Sequence, residues 1–183
     1  METSKDYLIG LLKDKYEHEI RRKADFDNSL NIPITLLTAL FAGIYFVASD
    51  TSLKQLSCPL ITVKWILLAL LFLSCIITMS LLFKVYFGYK RAYCAFPDSK
   101  QVVEDDFKAL EEYHNQYSKG KQEENLLKSL KDRVVNWYLE CNNNNTPVND
   151  ARANALFYAR LSICISLSIG LALLIFICYL KSL

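Results

Sequence analysis

Apolar and charged residues fall into separate blocks along this chain. Three windows, Asn28–Ser49, Trp65–Phe83 and Leu161–Leu180, hold no charged residue. Each is about as long as an α-helix must be, at ~1.5 Å per residue, to cross a hydrocarbon core ~30 Å thick. The pattern predicts three transmembrane helices. Before the first window the period becomes amphipathic: Leu8, Leu11, Leu12, Tyr16 and Ile20 recur at helical spacing among Lys, Asp and Glu. A helix from Ser4 to about Ser29 is expected, lying on the membrane surface or docked on the chain's own cytoplasmic helices. Pro33 disfavours helical geometry at Asn31 and Ile32, so the first span is expected to begin at Pro33 after a bend.

The stretch between the second and third windows reads as helical pieces. Val85–Tyr93 continues the second span past the membrane, with Tyr86, Phe87 and Tyr89 suited to the interface. Pro97-Asp98-Ser99 stops one helix and starts another. From 99 to 118, Val103, Phe107, Leu110, Tyr113 and Tyr117 mark one face, and Gly120 ends that helix. From 121 to 141, Leu127, Leu130, Val134, Trp137 and Cys141 form a second stripe. The two read as an αα-hairpin. Asn142–Asn145 and Thr146-Pro147 favour turns over helix, so a break is expected there. Asn149 or Asp150 would then cap a last helix running from Ala151 through the third span. No strand signal stands out. The expected fold is an all-α integral membrane protein with three transmembrane helices plus a cytoplasmic helical hairpin. Its expected parts are a cytoplasmic amphipathic helix (1–31), a transmembrane helical hairpin (32–84), a cytoplasmic helical region (85–150) and a helix continuing into the third span (151–183).

Basic residues orient this layout. Six lie in the N-terminal segment, twelve between Lys84 and Arg160, and only Lys54, Lys64 and Lys181 elsewhere. The N-terminus is expected in the cytoplasm, the 50–59 loop outside and the C-terminus outside. Of the 183 residues 52% are hydrophobic and 22% charged, and a net charge of +2 gives no reason to expect direct nucleic-acid binding. The N-terminal stretch is mixed in charge, unlike a cleavable signal peptide.

Candidate chemistry is sparse. The six cysteines have no CxxC spacing, and Cys75, Cys164 and Cys178 sit in apolar windows as small hydrophobic residues. Cys58 falls in the outer loop, where a free thiol is expected. His18 and His114 stand apart and read as surface residues, with no metal-ligand spacing around them. Glu104-Asp105-Asp106 complements a helix start. There is no Walker loop, GxSxG or HExxH motif, and the spans lack the ionisable groups that proton-coupled pumps use. No enzyme activity, cofactor or metal is expected.

Small residues are the strongest remaining signal. Ala151, Ala155 and Ala159 lead into Ser162, Ser166 and Gly170, and Thr35, Ala39 and Gly43 echo them in the first span. Such stripes let helices approach closely in lipid. Three roles are open: packing within one subunit, packing between subunits, or lining a water-filled path with Ser162, Ser166 and Ser168. Arg152 and Arg160, with Lys84, Lys90 and Arg91, stand at the inner mouth and suit anionic head groups or a ring around an oligomeric opening.

The segments LNIPITLLTALFAGIYF (30–46) and NTPVNDARANALFYAR (145–160) carry a layout that resembles small bacterial membrane proteins found beside anti-phage systems. These include SLATT-type two-span effectors and membrane proteins attached to some CRISPR loci. The third span departs from the two-span pattern. The resemblance implies an effector that forms a homo-oligomer in the lipid bilayer and perturbs it when a cytoplasmic signalling partner reports infection. An oligomeric pore former is thus one expectation. A membrane anchor recruiting a soluble partner through the 99–141 hairpin is the other.

Overall fold

The computed structural model describes residues 4–50, 58–87, 92–118 and 120–182. Among them the chain is all-helical: α1 (Ser4–Asn28), α2 (Asn31–Ser49), α3 (Cys58–Phe87), a π-helical stretch (Gln101–Phe107) leading into α4 (Lys108–Tyr117), and α5 (Gln122–Ser182). Three helical stretches, 4–49, 59–87 and 122–182, are long and apolar enough to cross a membrane. This is compatible with a multi-pass membrane protein. Two compact units emerge, one of residues 1–24 and 91–149, the other of residues 25–90 and 150–183.

In the second unit, α2 begins at Asn31, two residues before Pro33. Proline is tolerated there because N–H groups of a first helical turn lack intrahelical partners anyway. The interruption after α1 is slight. Ser29 N–H still bonds Asp25 O at 2.9 Å, and Ile34 N–H bonds Leu30 O at 3.0 Å. α2 and α3 run antiparallel, as three pairings along their length show. Lys64 Nζ reaches Asp50 O at 3.3 Å, the Phe41 and Phe72 rings are 6.1 Å apart, and Leu37 and Leu82 line one shared depression. The last part of α5 packs beside both. Its core partners include Leu37, Val47, Leu68, Leu71, Cys75 and Leu82, against Leu156, Ala159 and Leu173. Most other large apolar side chains of these helices face outward, Tyr45, Ile66, Leu73, Leu171 and Ile175 among them. Helices apolar on all faces belong in a core or a bilayer. Outward hydroxyls are satisfied within their own helices: Thr35 on Asn31 O, Thr38 on Ile34 O, Ser80 on Ile76 O and Ser168 on Cys164 O, at 2.9–3.0 Å. That back-bonding is what a hydroxyl facing hydrocarbon requires.

In the first unit, the expected break at 142–147 does not occur. α5 passes through Asn142–Asn145 and Pro147 without interruption. Pro147 and Asn143, the residue whose carbonyl it leaves without a helical donor, are both on the exposed side. The expected helix start at Ala151 lies deep inside α5, so neither Asn149 nor Asp150 is a cap. Two other boundaries move. Ala92 and Tyr93 belong to a non-helical segment, 92–98, and not to the helix expected over Val85–Tyr93. The helix expected from 99 is wound as π-helix over 101–107, with Asp98 Oδ1 accepting the Gln101 N–H at 2.8 Å. Gly120, at φ +79, stands between α4 and α5 in the left-handed region that glycine alone enters freely.

His114 corrects the surface expectation. It is buried, with Nδ1 2.8 Å from Ser118 Oγ and Nε2 3.0 Å from Ser129 Oγ. His18 is exposed as expected. Tyr113 and Tyr117, on the apolar face expected for this helix, are exposed.

Candidate functional site

Two constellations stand out, one in each unit. The first is a polar seam between α3 and α5. Ser74 Oγ and Ser166 Oγ are 2.7 Å apart, and Thr78 Oγ1 is 2.7 Å from Ser162 Oγ. Thr78 Oγ1 also meets Ser74 O at 3.0 Å, and Ser166 Oγ donates to Ser162 O at 2.9 Å. All four residues are buried. Spacing by four puts each pair on one face of its helix, and the pairing 74 with 166 and 78 with 162 makes the helices antiparallel. Ser162 and Ser166 thus spend their polarity inside one chain. Gly170 continues the seam: a Cβ there would sit 3.7 Å from Leu40 and 4.0 Å from Leu71, ordinary contact distances. Ala159 is fully buried.

Two of the first-span candidates, Ala39 and Gly43, share a groove with Gly170. That groove is apolar, has a volume of about 370 Å³ and is also lined by Leu36, Leu40, Leu167 and Leu171. A Cβ at Gly43 would meet nothing within 4 Å. Thr35 is exposed and donates to Asn31 O in its own helix.

The basic candidates separate. Arg152 is 2% exposed. Its Nε donates to Val85 O at 2.8 Å, its Nη2 pairs with Asp27 at 2.5 Å, and its guanidinium lies 5.4 Å from the Phe26 ring. The side chain that suited head-group contact is turned into the bundle, where it caps a carbonyl near the end of α3 and neutralises a carboxylate. Lys84 and Arg160 are exposed, while Lys90 and Arg91 lie outside the described residues, as does the 51–57 loop.

The second constellation is an asparagine clamp that sequence reasoning missed. Asn145 Nδ2 donates to Cys94 O at 3.0 Å, and its Oδ1 accepts the Cys94 N–H at 2.8 Å. Asn144 Nδ2 bonds Ala92 O, and Asn142 Nδ2 bonds Leu12 O at 2.9 Å. Asn149 Nδ2 donates to Glu19 O and Oε2, both at 2.8 Å, while its Oδ1 accepts from Tyr93 at 2.6 Å. Phe96 completes the docking on Trp137 and Tyr138, with ring centroids 5.4 and 4.7 Å apart. Non-helical segment 92–98 thereby finds partners for backbone groups that have no ladder. Magnitudes explain why helix wins over turn. Four asparagines cost about 2–3 kcal/mol of helix propensity relative to alanine. Pro147 adds about 3 kcal/mol, and the seven tertiary hydrogen bonds made by Asn142, Asn144, Asn145 and Asn149 contribute about 1 kcal/mol each, so the balance favours a helical run.

Glu19 sits inside this clamp, fully buried, with Lys15 at 2.5 Å and Arg22 at 2.9 Å. Burial pushes its carboxyl upward, but the Asn149 and Lys15 hydrogen bonds and the charges of Arg22 and Lys15 prevail. They hold it at about 2 against an ordinary 4.5. No group of three or more His, Cys, Asp or Glu able to hold a metal occurs among the described residues. Nothing in either constellation pairs a nucleophile with a base. The chemistry on offer is packing, charge neutralisation and thiol chemistry.

No known family model, curated protein or solved structure matches this chain.

Proposed function

We propose that this chain is a membrane effector that assembles with copies of itself to form or gate a pore in bacterial defence. The observation that supports the reading is the apolar groove at Ala39 and Gly43, where missing side-chain bulk leaves room for a neighbouring helix. In lipid such room favours association, since packing and not hydrophobicity drives helices together. Ser162 and Ser166 enter this reading as the internal spine of each subunit. The defence role rests on the layout of residues 30–46 and 145–160. The distribution of basic residues supports an N-terminus in the cytoplasm and a C-terminus outside.

Gly43→Leu is the discriminating variant, because it meets open space within one chain. Its melting curve should match the parent, while oligomer mass in lipid nanodiscs falls and expression stops depolarising cells. A parent that is monomeric in nanodiscs and never depolarises cells would overturn the reading. So would a Gly43→Leu protein with undiminished oligomer and depolarisation.

Exposure of Val103, Tyr113, Tyr117 and Leu127 supports a second reading, an anchor that recruits a soluble partner through 99–141. It predicts that activity survives Gly43→Leu and is lost with Tyr113→Ser and Tyr117→Ser together.

A further inference from the structure

We infer that Cys94 and Cys141 are a redox-responsive thiol pair that closes to an intramolecular disulfide. Cys141 lies on α5 one turn before Asn145, the residue that grips both backbone groups of Cys94. Spacing by four puts 141, 145 and 149 on one helix face. The pairings of Tyr93 with Asn149, Cys94 with Asn145 and Phe96 with Tyr138 fix segment 92–98 antiparallel to that face. Cys94 is thus held within one helical turn of Cys141 along that face. The two thiols are close enough for Cys94 to influence the titration of Cys141, and both are free. Their environments differ in a useful way. Cys94 is partly exposed, with Sγ beside Ala95 O, so a small oxidant reaches it. Cys141 is 1% exposed, and burial, then the Cys94 contact, pushes its thiol up to about 12. Cys94 is the attacking thiol and Cys141 the resolving one.

The oxidant class is a small-molecule disulfide such as glutathione disulfide. The Cys94 thiolate attacks one of its sulfurs, forming a mixed disulfide and expelling one glutathione thiolate, which takes up the proton that Cys94 lost. Cys141 then attacks Cys94 Sγ, its proton leaving with the second glutathione. Two electrons and two protons pass from the protein dithiol to two glutathione thiols, and one S–S bond replaces another. The product fastens 92–98 to α5 covalently, where only hydrogen bonds and ring contacts hold it in the reduced chain. In a reducing compartment such a bond forms transiently, as redox sensors require. The inference does not depend on the pore reading.

The test uses the full chain in nanodiscs, titrated with glutathione disulfide, alkylated and mapped under non-reducing conditions. The expected product is a cross-linked peptide joining Cys94 to Cys141 within one chain. Held within one helical turn of Cys94, the resolving thiol acts at high effective concentration, so the Cys94–glutathione adduct should be at least about tenfold scarcer in the parent than in Cys141→Ser. A parent in which Cys94 stays glutathionylated, bridges to another chain, or does not react would overturn the inference. The parent map decides this even where Cys141→Ser folds poorly.

Discussion

Asn145 holds Cys94 by both of its main-chain groups, accepting the N–H at 2.8 Å and donating to the carbonyl at 3.0 Å. A side-chain amide here takes the place of a neighbouring strand. Asn145→Ala removes both partners at once and leaves a part-buried N–H and C=O unpaired. The expected loss is about 2–3 kcal/mol in the unit that contains it. Asn145→Asp keeps the acceptor and loses the donor, so it should fall between Ala and the parent. Chemical unfolding of the three proteins, with limited proteolysis within 92–98, tests the ranking. Equal stability of Ala and parent would show that the amide does not hold the segment.

How much of this was legible in the sequence depends on the range of the forces. The three apolar windows were readable because absence of charge is a local property, and the long apolar helices fall where the windows lie. The path of α5 through 142–147 was not. Asparagine and proline carry turn preferences, and what overrides them comes from Leu12, Ala92 and Cys94, far away in sequence. Ser162 and Ser166 were visible as small polar residues. Their partners Ser74 and Thr78 also stand four apart in an uncharged window, a signal that would have paired the helices. Arg152 read as an interfacial cation because its carboxylate, Asp27, is 125 positions earlier and looks like part of a solvated helix.

The seam between α3 and α5 should show coupling between Thr78 and Ser162. Thr78→Val keeps the shape and drops the hydroxyl, while Ser162→Ala removes the partner. Buried hydrogen bonds between membrane helices average about 0.6 kcal/mol and reach roughly 1.7. The double variant should therefore be more stable than the sum of the singles predicts, by about that amount. Unfolding in mixed micelles measures the cycle. A coupling energy of zero would mean that the two hydroxyls find other partners when separated.

Arg152 offers a prediction that separates a structural cation from a lipid-binding one. Truncating it to Ala leaves Val85 O without its donor and Asp27 without its cation. The expected cost is about 2–3 kcal/mol, from the buried Val85 carbonyl left without its donor and the packing lost around a buried side chain. Arg152→Lys keeps the charge but loses the planar fork that serves Val85 and Asp27 together, so it should recover only part. Asp27 is 42% exposed. Water screens it, and Asp27→Asn should cost about 1 kcal/mol or less. If Arg152→Ala instead keeps full stability and weakens binding to anionic vesicles, the side chain serves head groups.

Glu19 makes the stability of its unit depend on acid. Its carboxyl is held at about 2 in the folded chain, below the ordinary 4.5. A depressed folded value means that the unfolded state binds the proton more readily, so acid favours unfolding. The contribution is complete above pH 4.5 and fades as the pH falls toward 2. Integrated over that window it amounts to roughly 3 kcal/mol. Glu19→Gln removes the titration, and it also removes the charge that Lys15 and Arg22 neutralise. The variant should therefore be less stable at neutral pH, with a shallower decline between pH 4.5 and 2. Unfolding midpoints of parent and variant across that range provide the check. Parallel pH profiles would show that other carboxylates carry the acid sensitivity and that the ring around Glu19 does not set its proton affinity.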